Sequence, residues 1–442
     1  MHHNDMMKYV FKRGSMTAMV DHPCQSGSSE NKKNMTEKMV AEEMATEKKN
    51  AEEKDAEQIR EWMPALLDWF SKSARQMPWR DDPTDYHVWI SEIMLQQTRV
   101  EAVREYYARF MEAMPDVESL AAMPEERLLK YWEGLGYYSR ARNLKKAAEI
   151  ICRDYEGHLP KDAALLRKLP GIGPYSAGAI ASIAYGMNEP AVDGNVLRVL
   201  SRVLGSYDDI MSSETRKRFE KSLREVYPHF PGEAGNITQS LMELGALVCV
   251  PNGAPACVKD ENAENTSRCH EDACPLASYC IAYRKGLTGE LPVKAAKAEK
   301  KEVKMTVFVL TDEKGETVLL RRRPENGLLA GMYEYPHVEG ILKKQEAVAA
   351  AESILLGSAD PERTLPSDMV TAEKTAKIVD LKAAGEATHI FSHIVWKMKV
   401  YRGIFVRTEG PAEAGTLLFA KTDDRKSEYP MPAAFSQLNK FL

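Results

Sequence analysis

The spacing of apolar residues changes once along the chain, and this change limits the fold more than any other feature. From about residue 59 to 287, apolar residues recur every three or four positions between short breaks at Pro and Gly, which is typical of α-helices. Further on they alternate in short runs that indicate β-strands, with one helix among them. The runs are Met305–Leu310, Thr317–Leu320 and His389–Val406, and the helix covers about 345–356. The pattern predicts an all-α domain followed by an α+β domain.

The 442 residues therefore divide into four predicted segments. Residues 1–58 have few aromatic residues and many Met, Lys, Glu, Asn and Ser, so they cannot bury a core and are predicted to be disordered or to form a charged helix. Residues 59–287 form the helical domain. Residues 288–303 carry a Lys-rich run without apolar periodicity, which marks a linker, and residues 304–442 form the α+β domain.

Charge and hydropathy exclude several classes of protein. Sixty Lys and Arg against 65 Asp and Glu give a formal net charge of −5, so a nucleic-acid partner must be inferred from local features. No stretch approaches the roughly 18 apolar residues of a membrane span, and the N-terminus lacks the apolar region of a secretory signal. We therefore expect a soluble cytoplasmic protein.

A turn rich in Gly and Pro, LPGIGPYSAG at 169–178, separates two amphipathic helical segments. Gly171 and Gly173 allow the positive φ that a tight hairpin needs, and Pro174 suits the first turn of the next helix. Backbone N–H groups at that helix start can bind a phosphate oxygen without reading sequence. Residues 140–168 carry eight Lys or Arg against four acidic residues, so a positive strip adjoins the hairpin. A plain helix–helix turn is the alternative.

Two acidic residues stand in unusual surroundings. Glu92 lies in a mostly apolar segment, one turn before Gln96 and Gln97. The letters TRVE that follow have the form of a capping box, which predicts that a new helix starts at Thr98 and leaves the two glutamines at an exposed corner. The apolar neighbours of Glu92 favour a half-buried carboxyl with a raised pKa. Asp193, in AVDGNV, begins another helix, where a simple cap is the plainer interpretation.

Five of the seven cysteines lie close together near the end of the helical domain. They are Cys249, Cys257, Cys269, Cys274 and Cys280. This clustering indicates a metal site in a reducing compartment, because disulfides of a secreted domain would be distributed differently. Thiolates at such spacing can hold either a structural zinc ion or an iron–sulfur cluster, and the spacing alone does not decide between them.

Six ordered segments resemble one family closely. They are SEIMLQQTRV (91–100), GLGYYSRARNL (134–144), LPGIGPYSAGAIASIAYG (169–186), AVDGNVLRV (191–199), MELGALVC (242–249) and CPLASYC (274–280). In this order they resemble the MutY-type adenine DNA glycosylases of the helix-hairpin-helix, iron–sulfur family. The likeness spans about residues 60–287, and GLLAGMYEYP (327–336) with Phe391-Ser392-His393 resembles the family's NUDIX-like lesion-recognition domain.

The resemblance implies a role for each matching residue. Glu92 is expected to protonate adenine and Asp193 to stabilise the sugar cation, with Tyr175 and Asn195 beside them. The chemistry needs this pair, because adenine leaves poorly until protonated and its departure leaves positive charge on the deoxyribose. Implied DNA or lesion contacts are Arg80, Gln96, Gln97, Thr98, Leu135, Tyr137, Gly171, Gly173, Phe391, Ser392 and His393, with Gln97 and Tyr137 filling the stack vacated by the flipped base.

The resemblance also implies a 4Fe–4S cluster held by thiolates. Cys249, Cys274 and Cys280 match the family spacing, whereas the second gap is expanded by residues 258–273. Cys257 is the preferred fourth ligand and Cys269 its substitute. The expected partner is double-stranded DNA containing adenine opposite 8-oxoguanine or guanine. The protein is expected to be a monomer that does not bind membranes, cytoplasmic and nucleoid-associated in a bacterium.

One position favours a monofunctional enzyme. Relatives resembling endonuclease III place a Schiff-base lysine two residues after the second hairpin glycine, where this chain has Tyr175, so strand cleavage is not expected. A bifunctional glycosylase and lyase, and a non-catalytic DNA-binding iron–sulfur protein, remain the alternatives. A nucleotide pyrophosphatase is disfavoured, because residues 345–352 lack the Glu-rich Mg²⁺-binding helix of hydrolytic NUDIX enzymes.

Overall fold

The computed structural model describes residues 29–251, 255–257, 273–295, 299–355, 376–407, 413–414 and 417–442. Our predictions for residues 1–28 and for Cys269 within the insert 258–272 lie outside this range. The chain divides into two compact units between Glu53 and Lys54. None of the helices in the described residues has the length and hydropathy needed to cross a membrane.

Helices make up the chain as far as residue 284. They are α1 (Ser29–Ser73), α2 (Pro78–Asp81), α3 (Asp85–Leu95), α4 (Val100–Ala113), α5 (Val117–Ala122), α6 (Glu125–Tyr131), α7 (Ser139–Asp154), α8 (Ala163–Leu166), α9 (Pro174–Ala179), α10 (Gly194–Val203), α11 (Ser213–Val226), α12 (Ala234–Leu247) and α13 (Ile281–Arg284). A π-helical turn, Ile180–Ala184, continues α9, and a 3-10 turn, Tyr227–His229, follows α11. Helix α1 runs through position 58, where we predicted a boundary, because Ala, Glu and Lys dominate there and favour helix.

Two apolar cores support the helices. The first includes Trp89 of α3, Phe110 of α4 and Trp132 after α6, all fully buried. The second includes Trp62 of α1 and Phe219 of α11, together with residues of α10 and α12. Burial of a Phe side chain contributes roughly 1.5–3 kcal/mol, so each core fixes its helices firmly. The helix with Glu92 belongs to the first core and the helix that starts after Asp193 to the second.

The corner between α3 and α4 has the predicted position but a different cap, and Gln96, which we predicted to be exposed together with Gln97, is half-buried and donates to the Ser176 hydroxyl at 3.2 Å. Helix α3 ends at Leu95, and Gln97 is exposed with a positive φ of 61°. The prediction of a capping box beginning at Thr98 is wrong: α4 begins at Val100, its N-cap is Arg99, and that residue makes no side-chain cap bond. The Thr98 hydroxyl lies 3.5 Å from the carbonyl oxygen of Gln96, whereas a capping hydroxyl would accept an N–H group of α4.

The described strands form one mixed sheet. They are β1 (Lys301–Thr311), β2 (Thr317–Arg322), β3 (Tyr333–Glu334), β4 (His337–Glu339), β5 (Ala376–Ile390), β6 (Ile394–Arg407), β7 (Glu413–Ala414) and β8 (Leu417–Lys421). The order is β5-β6-β1-β2-β8-β7, with β3 on β2 and β4 on β1. Strands β1 and β6 are parallel, from Lys301 opposite Ile394 to Thr311 opposite Ile404, and the other pairs are antiparallel.

Helices cover both faces of this sheet. Residues of β1 alternate between the faces: Val307 points to one core and Phe308 to the other. Helix α14 (Lys344–Leu355) packs on the Phe308 side, close to the predicted 345–356. The C-terminal helix α16 (Ala433–Ser436) and the 3-10 turn Gln437–Phe441 pack on the other side, and a short helix α15 (Arg425–Glu428) precedes them.

The predicted strand run His389–Val406 is two strands with a tight turn between them. Strand β5 ends at Ile390, and the N–H of Phe391 donates to the carbonyl of Ile394 at 2.8 Å. Phe391, Ser392 and His393 therefore form the turn. Alternating apolar residues occur on both sides of such a turn, so the sequence pattern alone did not reveal the reversal.

The sheet domain contacts the helical domain directly. The hydroxyl of Tyr333 donates to Glu126 Oε1 at 2.9 Å, and the N–H of Met431 donates to Glu133 Oε1 at 3.2 Å. The predicted linker is also partly folded, because Leu291 is buried in the second helical core and β1 already starts at Lys301. Helix α6 and the loop after it are thereby held against β3 and the segment before α16.

Candidate active site

A cleft of about 1000 Å³ opens between the two helical cores. Each wall comes from a different part of the chain: α3 supplies Glu92, the start of α9 supplies Tyr175, the N-cap of α10 supplies Asp193, and α12 supplies Glu243. Other predicted residues that line it are Arg80, Gln96, Gln97, Thr98, Gly171, Gly173 and Asn195. The structure thus brings the predicted catalytic residues together with most of the predicted DNA contacts from the helical domain.

Glu92 lies deeper than the half-buried position we predicted, with 6% of its surface exposed. The hydroxyl of Tyr175 donates to its Oε2 at 2.6 Å. Burial raises the pKa of Glu92 to about 7; the Tyr175 hydrogen bond and the charge of Arg80 oppose the rise, and the charge of Asp193 adds to it. The pKa of Tyr175 is raised by burial and by the neighbouring carboxylates, so its hydroxyl keeps the proton that it donates. Glu92 is therefore a carboxyl that exchanges a proton near neutral pH.

Asp193 acts as the helix cap that the plainer interpretation gave it, and it also faces the cleft. Its Oδ1 accepts the N–H groups of Asn195 and Val196 at 2.9 and 2.8 Å, and its Oδ2 accepts the amide Nδ2 of Asn195 at 2.8 Å. Burial raises the pKa of Asp193, whereas these three donors oppose the rise. Both carboxylate oxygens are held in fixed directions at the edge of the cleft.

Asn195 connects this carboxylate to the cysteine region. Its Oδ1 accepts Nη2 of Arg198 at 2.8 Å, and Nε of Arg198 donates to the carbonyl of Cys249 at 2.7 Å. Gly245 packs against Asn195 closely enough that a Cβ there would lie 2.6 Å from the Asn195 Cβ. The orientation of Asn195, and hence one hydrogen bond to Asp193, depends on the segment that carries the cysteines.

Sequence reasoning missed a buried ion pair in the same cleft. Glu243 is 2% exposed and accepts Nε and Nη2 of Arg75 at 2.7 and 3.0 Å and Nη2 of Arg80 at 3.2 Å. Burial alone would raise the pKa of Glu243, but hydrogen bonds and charge from the two arginines lower it overall. The signal was present in the segment MELGALVC, where an acidic residue interrupts an apolar helix.

The hairpin backbone matches the prediction only in part, because Gly173 is the N-cap of α9 with a φ of −85° and does not use the positive φ expected of both glycines. Gly171 has a φ of 78°, and Pro174 occupies the first turn of α9, where it needs no N–H donor. Gly178 is required for a different reason: a Cβ at this position would lie 2.2 Å from the carbonyl oxygen of Pro190. This close approach holds the helix after the hairpin against the segment leading to Asp193, which positions Tyr175 and Asp193 across the cleft.

A second cavity of about 320 Å³ lies between the helical domain and the sheet domain. It is lined by Tyr137 from the loop before α7 and by the turn Phe391, Ser392 and His393, which we predicted as lesion contacts. Tyr137 is 47% exposed and has a positive φ of 48°. Leu135, in contrast, is buried in the first helical core and lines neither cavity described here.

Four cysteines surround a small space beside α10 and α12. Cys249, Cys257, Cys274 and Cys280 all line it. Among the described residues, no three His, Cys, Asp or Glu side chains are close enough to hold one metal ion. Four thiols around one space can supply one thiolate to each iron of a cubane, and four thiolates are also a donor set that zinc accepts. The donor set therefore fits a four-thiolate iron–sulfur cluster.

Comparison with known proteins agrees with this architecture. The profile of the HhH-GPD superfamily of base excision DNA repair proteins matches residues 90–225, and that of the NUDIX domain matches residues 306–440. The chain is therefore a helix-hairpin-helix base excision DNA repair protein with a NUDIX-like domain, and the predicted fold class is confirmed. The adenine DNA glycosylase of Mus musculus is 33% identical over 386 residues, which cover 76% of this chain and 69% of that protein. The chain belongs to the adenine DNA glycosylase family, as the six sequence segments predicted.

Other relatives differ in how much of them is matched. The adenine DNA glycosylase of Arabidopsis thaliana is 34% identical over 380 residues, which cover 77% of this chain but 56% of that protein. Among solved structures, a thermostable thymine-DNA glycosylase is 24% identical, covers 52% of this chain and 98% of that chain, and has a TM-score of 0.43. This chain thus spans little more than half the length of the plant relative.

Proposed function

We propose that this protein hydrolyses the N-glycosidic bond of adenine mispaired with 8-oxoguanine or guanine in duplex DNA, and that it does not cut the strand. The observation that carries the proposal is the meeting of Glu92 and Asp193, from distant segments, on one cleft beside the hairpin. The relatives from Arabidopsis thaliana and Mus musculus are named adenine DNA glycosylases, which supports adenine as the base that the cleft accepts.

Glu92 is suited to protonate the leaving base. With a pKa of about 7, a large fraction of Glu92 holds a proton at neutral pH, whereas an ordinary glutamate would be ionised. Adenine becomes a good leaving group once it is protonated at N7, so a buried acid in contact with the base lowers the barrier. After the transfer, the Tyr175 hydroxyl at 2.6 Å stabilises the new carboxylate.

Asp193 is suited to the sugar side of the reaction. As the base departs, positive charge develops on the deoxyribose, and a carboxylate with fixed orientation stabilises it. Three donors hold Asp193 in place, so no reorganisation is needed when the charge forms. The two carboxyl groups thus take different roles. Backbone N–H donors favour the ionised form of Asp193, whereas the hydrogen bond described for Glu92 comes from the Tyr175 hydroxyl.

The target adenine must leave the helical stack before it can enter the cleft. Gln97, exposed at the corner after α3, and Tyr137, exposed in the loop before α7, are the side chains proposed to fill the vacated space. The hairpin with Gly171 and Gly173 is proposed to bind a phosphate of the same strand through backbone N–H groups. These contacts are independent of sequence, as repair at any position requires.

The smaller cavity is proposed to read the base opposite adenine. Its lining combines Tyr137 with Ser392, whose hydroxyl lies 3.1 Å from His393 Nδ1 and can bond the modified purine. Hydrolysis by the NUDIX-like domain is not proposed, because α14 has only Glu346 and Glu352 as acidic residues and buries Ala347 and Ala351. The domain therefore acts as a binding module.

A monofunctional mechanism is supported by the cleft lining. The position of the lysine nucleophile in endonuclease III-like relatives is Tyr175, and no lysine is among the described residues that line the cleft. Without an amine, the C1′ carbon cannot form the Schiff base that precedes strand cleavage. Water is then the nucleophile, and the product is an intact strand with an abasic site.

The four cysteines are proposed to hold a 4Fe–4S cluster with a structural role. Cys249, Cys257, Cys274 and Cys280 would be its ligands, and the cluster would fix the end of α12 relative to α10. Because Arg198 bonds both the carbonyl of Cys249 and the side chain of Asn195, this segment supports the side chain that orients Asp193. Iron content and visible absorbance of the purified protein test the assignment, and Cys257→Ser should lower both.

The deciding experiment uses labelled duplexes that carry adenine opposite 8-oxoguanine, guanine or thymine. We expect strand breaks only after hot alkali, with 8-oxoguanine and guanine as preferred partners. Efficient cleavage without alkali, or an adduct trapped by borohydride, would show a lyase and contradict the monofunctional proposal. Equal rates of adenine release from all three duplexes would contradict the proposal that the protein recognises the base opposite adenine.

A further inference from the structure

The two corners proposed to open the duplex meet at one buried side chain. Gln97 follows α3 and Tyr137 precedes α7, and the two are separate surface loops. Arg140, in the first turn of α7, lies beneath both of them with 9% of its surface exposed. Its guanidinium contacts backbone groups of each loop, so its bonds decide how the loops are held.

One nitrogen of Arg140 binds the end of α3. Nη1 donates to the carbonyls of Ile93, Met94 and Gln96 at 2.7, 3.0 and 2.7 Å. The last carbonyls of a helix have no partner within the helix, and a cation at this end also matches the helix dipole. This contact fixes the helix end that carries Glu92 one turn earlier.

The other nitrogen binds the loop before α7. Nη2 donates to the carbonyls of Leu135 and Gly136, both at 3.0 Å. The guanidinium carbon also lies 5.2 Å from the ring centre of Trp132 and 5.8 Å from that of Tyr137, within the range of a cation–π contact. The planar guanidinium thus joins two backbone segments that share no strand or helix.

The hydrogen bonds of Arg140 lie next to two residues with a strained backbone. Gln97 and Tyr137 have positive φ values of 61° and 48°, which non-glycine residues rarely adopt and which surrounding contacts must maintain. Arg140 bonds the carbonyl of the residue directly before each of them, Gln96 and Gly136. It therefore fixes the peptide plane on which each strained φ depends.

The charge of Arg140 is compensated in an unusual way. Among the described residues no carboxylate pairs with it, its Nε has no hydrogen-bond partner, and burial lowers its pKa to about 10. A buried cation without an acidic partner is costly unless hydrogen bonds compensate its lost hydration. Five bonds to carbonyls of two segments supply this compensation, and only a planar fork of donors can make them together.

We propose that Arg140 is a positioning residue that holds Gln97 and Tyr137 in their left-handed conformations and makes the two corners enter the duplex as one rigid unit. This inference rests on the proposed function, in which these side chains replace the flipped adenine. Arg140 itself lines neither the cleft nor the smaller cavity. Its loss should therefore impair opening of the stack more than bond cleavage.

The test compares two substrates in single-turnover adenine release. One is a fully paired duplex with adenine opposite 8-oxoguanine; the other has mismatched neighbours on both sides, so that the adenine is already unstacked. Arg140→Lys keeps the charge but not the planar fork, and Arg140→Met removes both. We expect the release rate of both variants to fall about ten- to hundredfold on the paired duplex and to return within about threefold of wild type on the loosened one.

A matched control is another buried arginine, one for which the described part of the chain offers no acidic partner. Arg425 is 6% exposed, donates to the Tyr335 hydroxyl at 2.7 Å and to Asn439 Oδ1 at 2.9 Å, and also has an unpaired Nε. Arg425→Met should change the rate of adenine release by the same factor on both substrates or leave it unchanged. Should Arg140→Met fail to fold in thermal unfolding, Arg140→Lys decides the question.

Unstacking is followed separately by the fluorescence of 2-aminopurine in place of the target adenine. We expect a reduced fluorescence rise for the Arg140 variants and a normal rise for Arg425→Met. The inference is overturned if the Arg140 variants lose equal activity on both substrates, if they lose none, or if Arg425→Met gives the same substrate-dependent loss. If wild type unstacks the probe but releases no adenine from its natural substrate, the proposed function fails, while the fluorescence still tests Arg140.

Discussion

The hydrogen bond from Tyr175 to Glu92 offers a sharp test of the proposed acid. In Tyr175→Phe the ring keeps its place, and only the hydroxyl that donates to Glu92 Oε2 at 2.6 Å is lost. This hydroxyl favours the ionised form of Glu92, because a carboxylate is the better acceptor. The substitution should therefore raise the pKa of Glu92 above its present value of about 7.

The size of the shift follows from the strength of the bond. A hydrogen bond to a charged group in a buried site contributes about 1.5–3 kcal/mol, and one pKa unit corresponds to about 1.4 kcal/mol. The pKa of Glu92 should thus rise by about one to two units. Since the reaction needs protonated Glu92, its rate falls as pH rises through this pKa, and the alkaline limb of the profile should move to higher pH by the same amount.

The assay is the pH dependence of single-turnover adenine release for wild type and Tyr175→Phe. Tyr185→Phe is a matched control, because the Tyr185 hydroxyl also donates to a carboxylate, Asp85 Oδ2 at 2.7 Å, but Tyr185 does not line the cleft. Tyr185→Phe should leave the alkaline limb of the pH profile at its wild-type position. An unchanged limb in Tyr175→Phe, or one that moves to lower pH, would refute Glu92 as the acid whose proton is consumed.

Three further predictions concern buried groups. Glu92→Gln should abolish adenine release while duplex binding survives. Near pH 8 it should also raise the free energy of unfolding by about 3 kcal/mol, because burial raises the pKa of wild-type Glu92 from its ordinary value of 4.5 to about 7 in the folded protein. The wild-type penalty is absent below the unfolded pKa and grows as pH rises to 7, so urea unfolding at several pH values should show the difference vanish in acid; a constant difference would contradict it. Glu243→Gln should lower the free energy of unfolding by about 3 kcal/mol, because it deprives Arg75 and Arg80 of their buried carboxylate, and a loss below about 1 kcal/mol in chemical denaturation would mean that the pair is effectively solvated. Gly178→Ala should lower the free energy of unfolding by about 1–3 kcal/mol, since its Cβ would lie 2.2 Å from the Pro190 carbonyl oxygen, whereas Gly173→Ala, with open space around it, should leave thermal unfolding nearly unchanged.

Local features of the site could be predicted because they depend on neighbours in sequence. Gly171 and Pro174 specify a turn through their own backbone preferences, and Gln97 lies at an exposed corner as expected. The error at Thr98 has the same local origin: its hydroxyl had two nearby backbone partners, and sequence favoured the helix N–H over the carbonyl of Gln96.

Features that join distant residues could not be predicted from spacing. Glu243 and Arg75 are 168 positions apart, and nothing in either local segment specifies the pairing. The five carbonyls that hold Arg140 carry no side-chain signal at all, because every residue has a carbonyl. The parallel pairing of β1 with β6 likewise depends on the whole sheet, since β-strand alternation does not specify a neighbour.

Helix α3 places the proposed proton donor and the proposed stack-filling corner on one short rod. Glu92 lies in its last turns, and Gln97 follows its end by two residues. A displacement of Gln97 by the duplex would therefore move α3 as a rigid helix and shift the carboxyl of Glu92 relative to N7 of the adenine. In the proposed mechanism, a partner base that tilts α3 would misalign the acid at the same time, so failed insertion of Gln97 and failed protonation by Glu92 would occur together.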